Sequence, residues 1–451
     1  MTRGLVACIA LAACAAPTAT VDWTHPPAVA AAPAVTPPRA TSFVLAGGLR
    51  VVLVENHRLP LVAIAAVNLA AGSREDGERH GLAALTADLL VAGAGARDRA
   101  GVEAALESAG ARLDVDIATD AATLELQARP AHLPEALDVL ADALRRPRFD
   151  EAELVHARTA RARRIGEHRA TARTAAAQRF DALVFAGHPY AHAAEGDPDI
   201  VETITLAEIR AFHARAYGPA ATAIVVAGDL DRATLEPALA ARFADWTSPA
   251  HRRPAAAVPA PPAPAIAFVD RPGATTAVIV AGGRGQAASA PDRIAAELAN
   301  TALGGAPTAR LDRRFHDELG LSLAASSSFW RGTDGGSWAV ATTVRTADAP
   351  RAIAELRAQL AAARATGFSP AELATARTQL LRALPRAFET DLGTARALER
   401  LVVQDLPLDY FTTFGAALAR VTPEAARRAI EPLWTEPLVI VVGDRAALEA
   451  P

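Results

Sequence analysis

The sequence predicts an α+β protein made of two homologous domains in tandem, and two internal matches at nearly one spacing carry that prediction. The pattern FxxAELxxAR occurs at Phe149–Arg158 and again at Phe368–Arg377, a spacing of 219 residues (368 − 149). An apolar run ending in Gly-Asp occurs at Ile224–Asp229 and at Ile440–Asp444, with 215 residues (443 − 228) between the two glycines. Two independent matches at nearly one spacing indicate a duplicated unit of about 200 residues.

A proline-rich segment separates the two predicted domains. Residues 254–264 read PAAAVPAPPAP, which cannot pack as a helix and predicts a stiff linker over residues 251–265. The first domain is therefore expected at residues 41–250 and the second at residues 266–451.

Each predicted domain opens with strands, continues with amphipathic helices and closes with a short apolar strand. Alternation of apolar residues predicts the strands, and a 3.6-residue period predicts the helices. That order favours a largely antiparallel sheet with helices packed on one face. The expected strands are Ser42–Leu45, Arg50–Glu55, Leu61–Ala70, Ala265–Asp270 and Ala274–Gly282, and the expected helices are Ala100–Ser108, Leu133–Arg145, Ala152–Arg173, Arg293–Ala302, Arg351–Ala365 and Pro370–Ala383.

The amino-terminal residues have the features of a secretory signal peptide. Met1-Thr2-Arg3 carries a positive charge, and the apolar run Gly4–Ala13 is shorter than the roughly 20 residues that a membrane span needs. The end of this leader, Leu11-Ala12-Ala13-Cys14, is similar to the bacterial lipobox. We therefore expect residues 1–14 to be a lipoprotein signal and Cys14 to become the acylated first residue of an exported protein.

The alternative is an alanine-rich leader in which Cys14 occurs by chance, as Cys8 does. Residues 15–40, rich in Pro and Ala, predict an extended tether to the folded body. The lipobox resemblance implies a place on the periplasmic face of the outer membrane.

Composition excludes several classes of function. Both cysteines of the chain lie in the predicted leader, so we expect no disulfide and no cysteine nucleophile or ligand in the folded domains. The net charge of −4 over 451 residues provides no basic surface, so we expect no nucleic-acid partner.

The segment Gly81–Leu90, GLAALTADLL, resembles the zinc helix of the insulinase-like (M16) metallopeptidases, whose inverted motif HxxEH follows Gly-Leu-Ala. Ala84, Ala87 and Asp88 stand where the family has His, Glu and His. The resemblance extends over about residues 43 to 446, because the turn Gly72-Ser73-Arg74-Glu75, the box Gly187-His188-Pro189-Tyr190 and the segment Leu303-Gly304-Gly305 also match family motifs in order. It implies the fold described above, with one chain forming half of a clamshell.

The departures from the family pattern carry the functional prediction. A zinc helix of this type needs two imidazoles one helical turn apart, and the family's intervening Glu serves as the general base. The resemblance places a third ligand, a Glu, near position 165, where residues 161–165 read Arg-Ala-Arg-Arg-Ile. The family's substrate-contacting Arg and Tyr of the second domain fall at His316 and Leu323. We therefore expect no zinc and no catalytic residue in this chain.

The favoured hypothesis is a non-catalytic periplasmic lipoprotein that pairs with a catalytic M16 subunit around an unfolded peptide, with zinc only in that partner. A second hypothesis is a metallopeptidase with a rearranged ligand set, Asp88 and Glu167 with His80 or His168. A third is a standalone peptide-binding or scaffold lipoprotein that associates with itself. His188 and Tyr190 are more typical of a packed turn than of replacement chemistry.

Overall fold

Two β-sheets, one from each half of the chain, organise the computed structural model, which describes Thr24 and residues 36–247, 256–258, 260, 263 and 265–448. The described residues from 36 to 448 belong to one compact unit, and of residues 1–34 only Thr24 is described. The predicted leader with Cys14, most of the tether and most of the linker lie outside the described residues. In the described part of the chain no helix is long and apolar enough to cross a membrane.

The first half alternates strands with helices before its last strand returns to the sheet. Its elements are β1 Thr41–Val44, β2 Arg50–Glu55, β3 Val62–Asn68, α1 Leu82–Leu90, β4 Gly93–Ala94, β5 Arg97–Asp98, α2 Arg99–Ser108, β6 Arg112–Ile117, β7 Ala122–Ala128, α3 Leu133–Arg145, α4 Glu151–Ala170, α5 Ala172–Val184, α6 Pro198–Val201, α7 Leu206–Ala216, β8 Thr222–Gly228 and α8 Arg232–Phe243.

The second half follows a similar order. Its elements are β9 Ile266–Asp270, β10 Thr276–Gly285, α9 Arg293–Leu303, α10 Arg310–Asp312, β11 Ser322–Arg331, β12 Gly336–Arg345, α11 Ala349–Thr366, α12 Pro370–Ala383, α13 Asp391–Val403, α14 Tyr410–Ala419, α15 Pro423–Ile430, β13 Leu438–Gly443 and α16 Arg445–Leu448.

The two sheets have one topology, as the internal matches predict. The first sheet runs β1-β2-β8-β3-β7-β6 and the second runs β9-β13-β10-β12-β11. In both, the closing Gly-Asp strand lies in the interior of the sheet, parallel to the opening strand on one side and antiparallel on the other. The extra strand β1 extends the first sheet by one. The predicted tandem α+β architecture is confirmed.

The helix expected over Ala152–Arg173 is wrong in one respect, because the chain breaks at Thr171 into α4 and α5. Thr171 has extended dihedrals (φ −78°, ψ 136°), and its hydroxyl accepts a hydrogen bond from the backbone N–H of Thr174. A threonine in this conformation is a good helix N-cap. Thr390, 219 residues later, caps α13 in the same way.

The two helices that follow these threonines cross between the halves. Helix α5 of the first half packs on β10 and β13 of the second sheet, and α13 of the second half packs on β3 and β8 of the first. Phe180 and Val184 pack in one of these interfaces, and Leu398 and Leu401 pack in the other. The opposite face of each sheet packs on helices of its own half around the two main cores. Each sheet therefore has apolar layers on both faces.

Candidate functional site

Helix α1, the helix that resembles the zinc helix, begins at a left-handed glycine. Gly81 has φ 106°, and a Cβ at this position would lie 2.6 Å from the side chain of Val201, so only glycine fits. The carboxylate of Asp76 accepts hydrogen bonds from the backbone N–H groups of Gly81 and Ala83, each at 2.7 Å. These bonds satisfy first-turn donors, so Asp76 serves as the cap of α1.

The positions of the motif on α1 are inert or already paired. Ala84 and Ala87 are buried methyl groups in the protein interior. The carboxylate of Asp88 accepts two hydrogen bonds from the guanidinium of Arg161 on α4, at 2.7 Å from Nε and 2.6 Å from Nη2. The Arg161 side chain is 3% exposed and that of Asp88 is 26% exposed. A bidentate ion pair therefore joins the two helices at this point.

The expected third-ligand position offers no donor. Ile165, one turn after Arg161 on α4, is fully buried in the first core. The guanidinium of Arg161 lies where a dication would have to approach Asp88, and like charges repel each other. The arrangement can hold α1 and α4 together, and it has neither a general base nor a set of metal ligands.

The rearranged ligand set is not brought together by the fold. Asp88 is engaged by Arg161, the exposed Glu167 pairs with Arg163 at 2.7 Å, and His168 lies 2.7 Å from Glu195. His80 stacks on the ring of His192, with centroids 4.1 Å apart, and burial lowers the pKa of His80. Among the described residues, no group of three or more His, Cys, Asp or Glu side chains could hold a metal ion.

The two positions of the second domain that resemble the Arg and Tyr sites lie near the start of edge strand β11. His316 is exposed, and its Nδ1 lies 3.1 Å from the backbone oxygen of Ser322. Leu323 has 88% of its surface exposed. An imidazole held by a carbonyl and an aliphatic side chain cannot replace a guanidinium and a phenol, so neither position carries the family's substrate contacts.

Family models match both halves of the chain. Residues 50–197 match the insulinase family, peptidase M16, and residues 203–380 match the peptidase M16 inactive domain. The chain belongs to the M16 peptidase family. With Ala84, Ala87 and Asp88 at the motif positions, it is a non-catalytic M16 homologue.

Similar proteins include both peptidases and a non-peptidase. An uncharacterized zinc protease of Mycobacterium tuberculosis is 27% identical over 376 residues, which cover 80% of this chain and 83% of the relative. The non-peptidase homologue YmxG of Helicobacter pylori is 27% identical over 180 residues, 40% of this chain and 42% of the relative. In fold, the chain is similar to the crystal structure titled peptidase M16 inactive domain from Pseudomonas fluorescens, with TM-score 0.84, 24% identity and coverage of 90% and 98%. A Helicobacter pylori protease structure gives TM-score 0.81 at 17% identity, with coverage of 90% and 100%.

A buried polar cluster joins the two halves of this M16 chain. It includes Arg74 of the turn Gly72-Ser73-Arg74-Glu75 and Tyr190 of the box Gly187-His188-Pro189-Tyr190. The guanidinium of Arg74 bonds the carboxylates of Asp120, at 3.1 Å, and of Asp334, which lies in the β11–β12 turn of the second half. The hydroxyl of Tyr190 donates to Asp120 at 2.7 Å and accepts from the backbone N–H of Asp334 at 3.1 Å. Burial raises the pKa of Tyr190 well above its usual value and lowers the pKa of His188, whose Nε2 lies 3.6 Å from Asp334.

This cluster, Arg74, Asp120, Tyr190 and Asp334, is hereafter the interdomain cluster. Both motifs are visible in the sequence, and the expectation that His188 and Tyr190 belong to a packed turn agrees with their burial. Their meeting with the β11–β12 turn was not predicted, because no local pattern pairs residues about 140 positions apart.

Proposed function

We propose that this protein is a non-catalytic subunit that forms a peptide-enclosing chamber with a catalytic M16 peptidase, which supplies the zinc. The observation that carries the proposal is the Asp88–Arg161 ion pair. The helix, its glycine start and its cap are present, while alanines stand at two of the reactive positions and Asp88, at the third, pairs with Arg161 and keeps α1 and α4 together. The presence of the helix without catalytic side chains supports a role in forming the chamber and binding peptide.

Free strand edges support a role in peptide capture. Strands β6 and β11 each lie at an edge of a sheet, with one side of the strand unpaired in the described part of the chain. An unfolded peptide can add to such an edge through backbone hydrogen bonds, with side-chain pockets setting specificity. On β11 the exposed Leu323 would present an apolar contact to such a peptide.

The proposal also includes anchoring at the periplasmic face of the outer membrane through acylated Cys14. Several acyl chains give stable attachment, whereas one gives only marginal binding. Cys14→Ser should move the protein out of the membrane fraction, with Cys8→Ser as the matched control that stays in it. An unchanged membrane fraction for Cys14→Ser would exclude the lipid anchor and leave the chamber proposal standing.

Co-purification from the native envelope under mild detergent, followed by mass spectrometry, tests the partner. We expect a second M16 chain with an intact HxxEH motif, and peptide hydrolysis by the complex but not by this chain alone. Recovery without such a companion, as a monomer or as a dimer of this chain, would overturn the subunit proposal in favour of a standalone peptide-binding lipoprotein.

Metal analysis and a peptide-cleavage assay test whether this chain binds zinc or cleaves peptides. We expect no stoichiometric zinc and no chelator-sensitive peptide cleavage by the purified protein. The triple variant Ala84→His, Ala87→Glu, Asp88→His should still bind no zinc tightly, because Arg161 and Ile165 occupy the rest of the site. A molar equivalent of zinc in the unaltered chain would refute the proposal.

A further inference from the structure

An apolar groove of about 240 Å³ lies in the second half, between the edge strand β9 and helix α11. Ile266 and Phe268 of β9 line it from one side, and Pro350, Ile353 and Ala354 of α11 line it from the other. Ile266 is 43% exposed and Phe268 is only partly buried, although both side chains are large and apolar. The groove therefore leaves apolar surface uncovered in the described part of the chain.

The duplication identifies the residues of the first half that correspond to this groove. Strands β2 and β9 each pair in parallel with the closing strand of their sheet, and in both halves the closing glycine lies opposite the last residue of the opening strand. Counted from that pair, Ile266 corresponds to Val51 and Phe268 corresponds to Leu53. Val51 and Leu53 are at most 1% exposed and belong to the first core. The corresponding surface is thus covered in the first half and open in the second.

Helix α8 covers this surface in the first half. It follows the closing strand, and its Leu235, Leu239 and Phe243 are fully buried in the same core as Val51 and Leu53. These three apolar residues recur every four positions, so they form one face of the helix. Strand β1 also pairs with the outer edge of β2, and no described strand does so for β9. Helix α16 follows the closing strand of the second half but has four residues, against twelve in α8.

The helical side of the groove gives the same correspondence. Helices α3 and α11 both have proline as their second residue, Pro134 and Pro350. Counted from these prolines, Ala354 corresponds to Asp138. In the first half Arg242 of α8 donates to the backbone oxygen of Pro134 at 2.7 Å and to the carboxylate of Asp138 at 2.8 Å. Pro350 and Ala354 therefore stand where a helix like α8 would contact α11.

We propose that this groove docks an amphipathic α-helix of a partner protein. The helix takes the place that α8 has in the first half, with apolar side chains at positions i, i+4 and i+8 against Ile266, Phe268 and Ile353. Apolar side chains are required at these positions, because Arg357, the one charged residue among the described lining residues, already pairs with Glu436 at 2.7 Å. The proposal does not rest on the peptide-enclosing chamber, because it follows from the duplication and from residues of the second half alone.

Fluorescence anisotropy with the purified full chain tests the proposal. The probe is a labelled peptide with the sequence of residues 231–245 of this chain, DRATLEPALAARFAD, which contains α8 and its capping residue Asp231. The control peptide carries Leu235→Ser, Leu239→Ser and Phe243→Ser. We expect saturable binding of the first peptide and at least about tenfold weaker binding of the control, because the control has no apolar face to remove from water.

Three variants locate the site. Ala354→Trp places an indole at an exposed lining position and should weaken binding about tenfold or more, and Ile266→Ser should also weaken it. Ala362→Trp, at an exposed position of α11 outside the lining, is the matched control and should leave the affinity unchanged. Thermal unfolding of all three should stay near that of the unaltered chain, because the altered side chains are exposed.

Sedimentation of the full chain without peptide tests a second copy as the occupant. We expect Ala354→Trp to leave the sedimentation of the chain unchanged. A dimer of the unaltered chain that this variant converts to a monomer would overturn the proposal and identify the groove as an interface between copies. The proposal is also overturned if the α8 peptide does not bind, if the serine control binds equally well, or if Ala354→Trp and Ile266→Ser both leave the affinity unchanged.

Discussion

The Asp88–Arg161 ion pair between α1 and α4 allows a quantitative prediction of the free energy of unfolding. Asp88→Ala leaves the guanidinium of Arg161, 3% exposed, without either of its hydrogen bonds to the carboxylate. Removing one partner of a buried pair costs about 3–5 kcal/mol. Because Asp88 is 26% exposed, water can reach the vacated space, so we expect a loss of about 2–3 kcal/mol in the free energy of unfolding.

The opposite variant should be milder. Arg161→Met keeps most of the buried stem, and the partly exposed Asp88 can be hydrated, so we expect a loss of about 1 kcal/mol. The double variant removes both charges and should lose less than the sum of the single variants. The resulting coupling energy is expected to be about 2 kcal/mol.

Urea titrations at pH 7, followed by fluorescence and by circular dichroism, give the midpoint and slope for each variant. Glu167→Ala is the matched control, because it breaks an Arg–Glu pair of 2.7 Å on α4 whose side chains are 69% and 58% exposed. An exposed pair contributes about 0–1 kcal/mol. If Asp88→Ala costs no more than Glu167→Ala, the ion pair does not hold α1 to α4, and the reasoning fails.

Two further predictions use buried polar groups. Tyr190→Phe should lower the free energy of unfolding by about 1–3 kcal/mol in urea titrations, because Asp120 loses a donor in the interdomain cluster. Tyr217→Phe should be neutral, since its buried hydroxyl has no hydrogen-bond partner within the described residues. Equal effects of the two variants would contradict a role for the Tyr190 hydroxyl. Burial raises the pKa of Asp181 to about 7, against about 3.9 for an unfolded chain. Between these two pKa values the folded state keeps a proton that the unfolded state releases. The free energy of unfolding therefore falls as the pH rises from about 4 to 7. Asp181→Asn should remove that fall and raise stability at pH 8 by about 1 kcal/mol or more, with Asp317→Asn as the exposed control; an unchanged pH profile would refute the assignment.

Much of the architecture follows from the sequence because it rests on local periodicity and on duplication. The helices expected at Leu133–Arg145 and Pro370–Ala383 have those bounds in the structure. The absence of the HxxEH side chains is likewise evident from the sequence at Ala84 and Ala87. The sequence does not identify the partner of Asp88, because Arg161 lies 73 residues away and α4 carries several arginines in similar local sequence. Only the packing of α4 on α1 selects one of them.

The expectation of helices on one face of each sheet omits the exchange of α5 and α13, yet the sequence contains a sign of it. A sheet with one solvated face shows alternating apolar and polar residues, whereas a sheet covered on both faces shows continuous apolar runs. Strands β3 and β8 are buried at every position, and they read VAIAAVN and TAIVVAG. These runs required a second covering layer, which the helices expected within the first half could not supply. The layer comes from α13, so the halves share their hydrophobic faces, and separating them at the linker would expose apolar surface on both sheets. The proline-rich segment therefore joins in sequence two halves that the exchanged helices α5 and α13 already hold together in the structure.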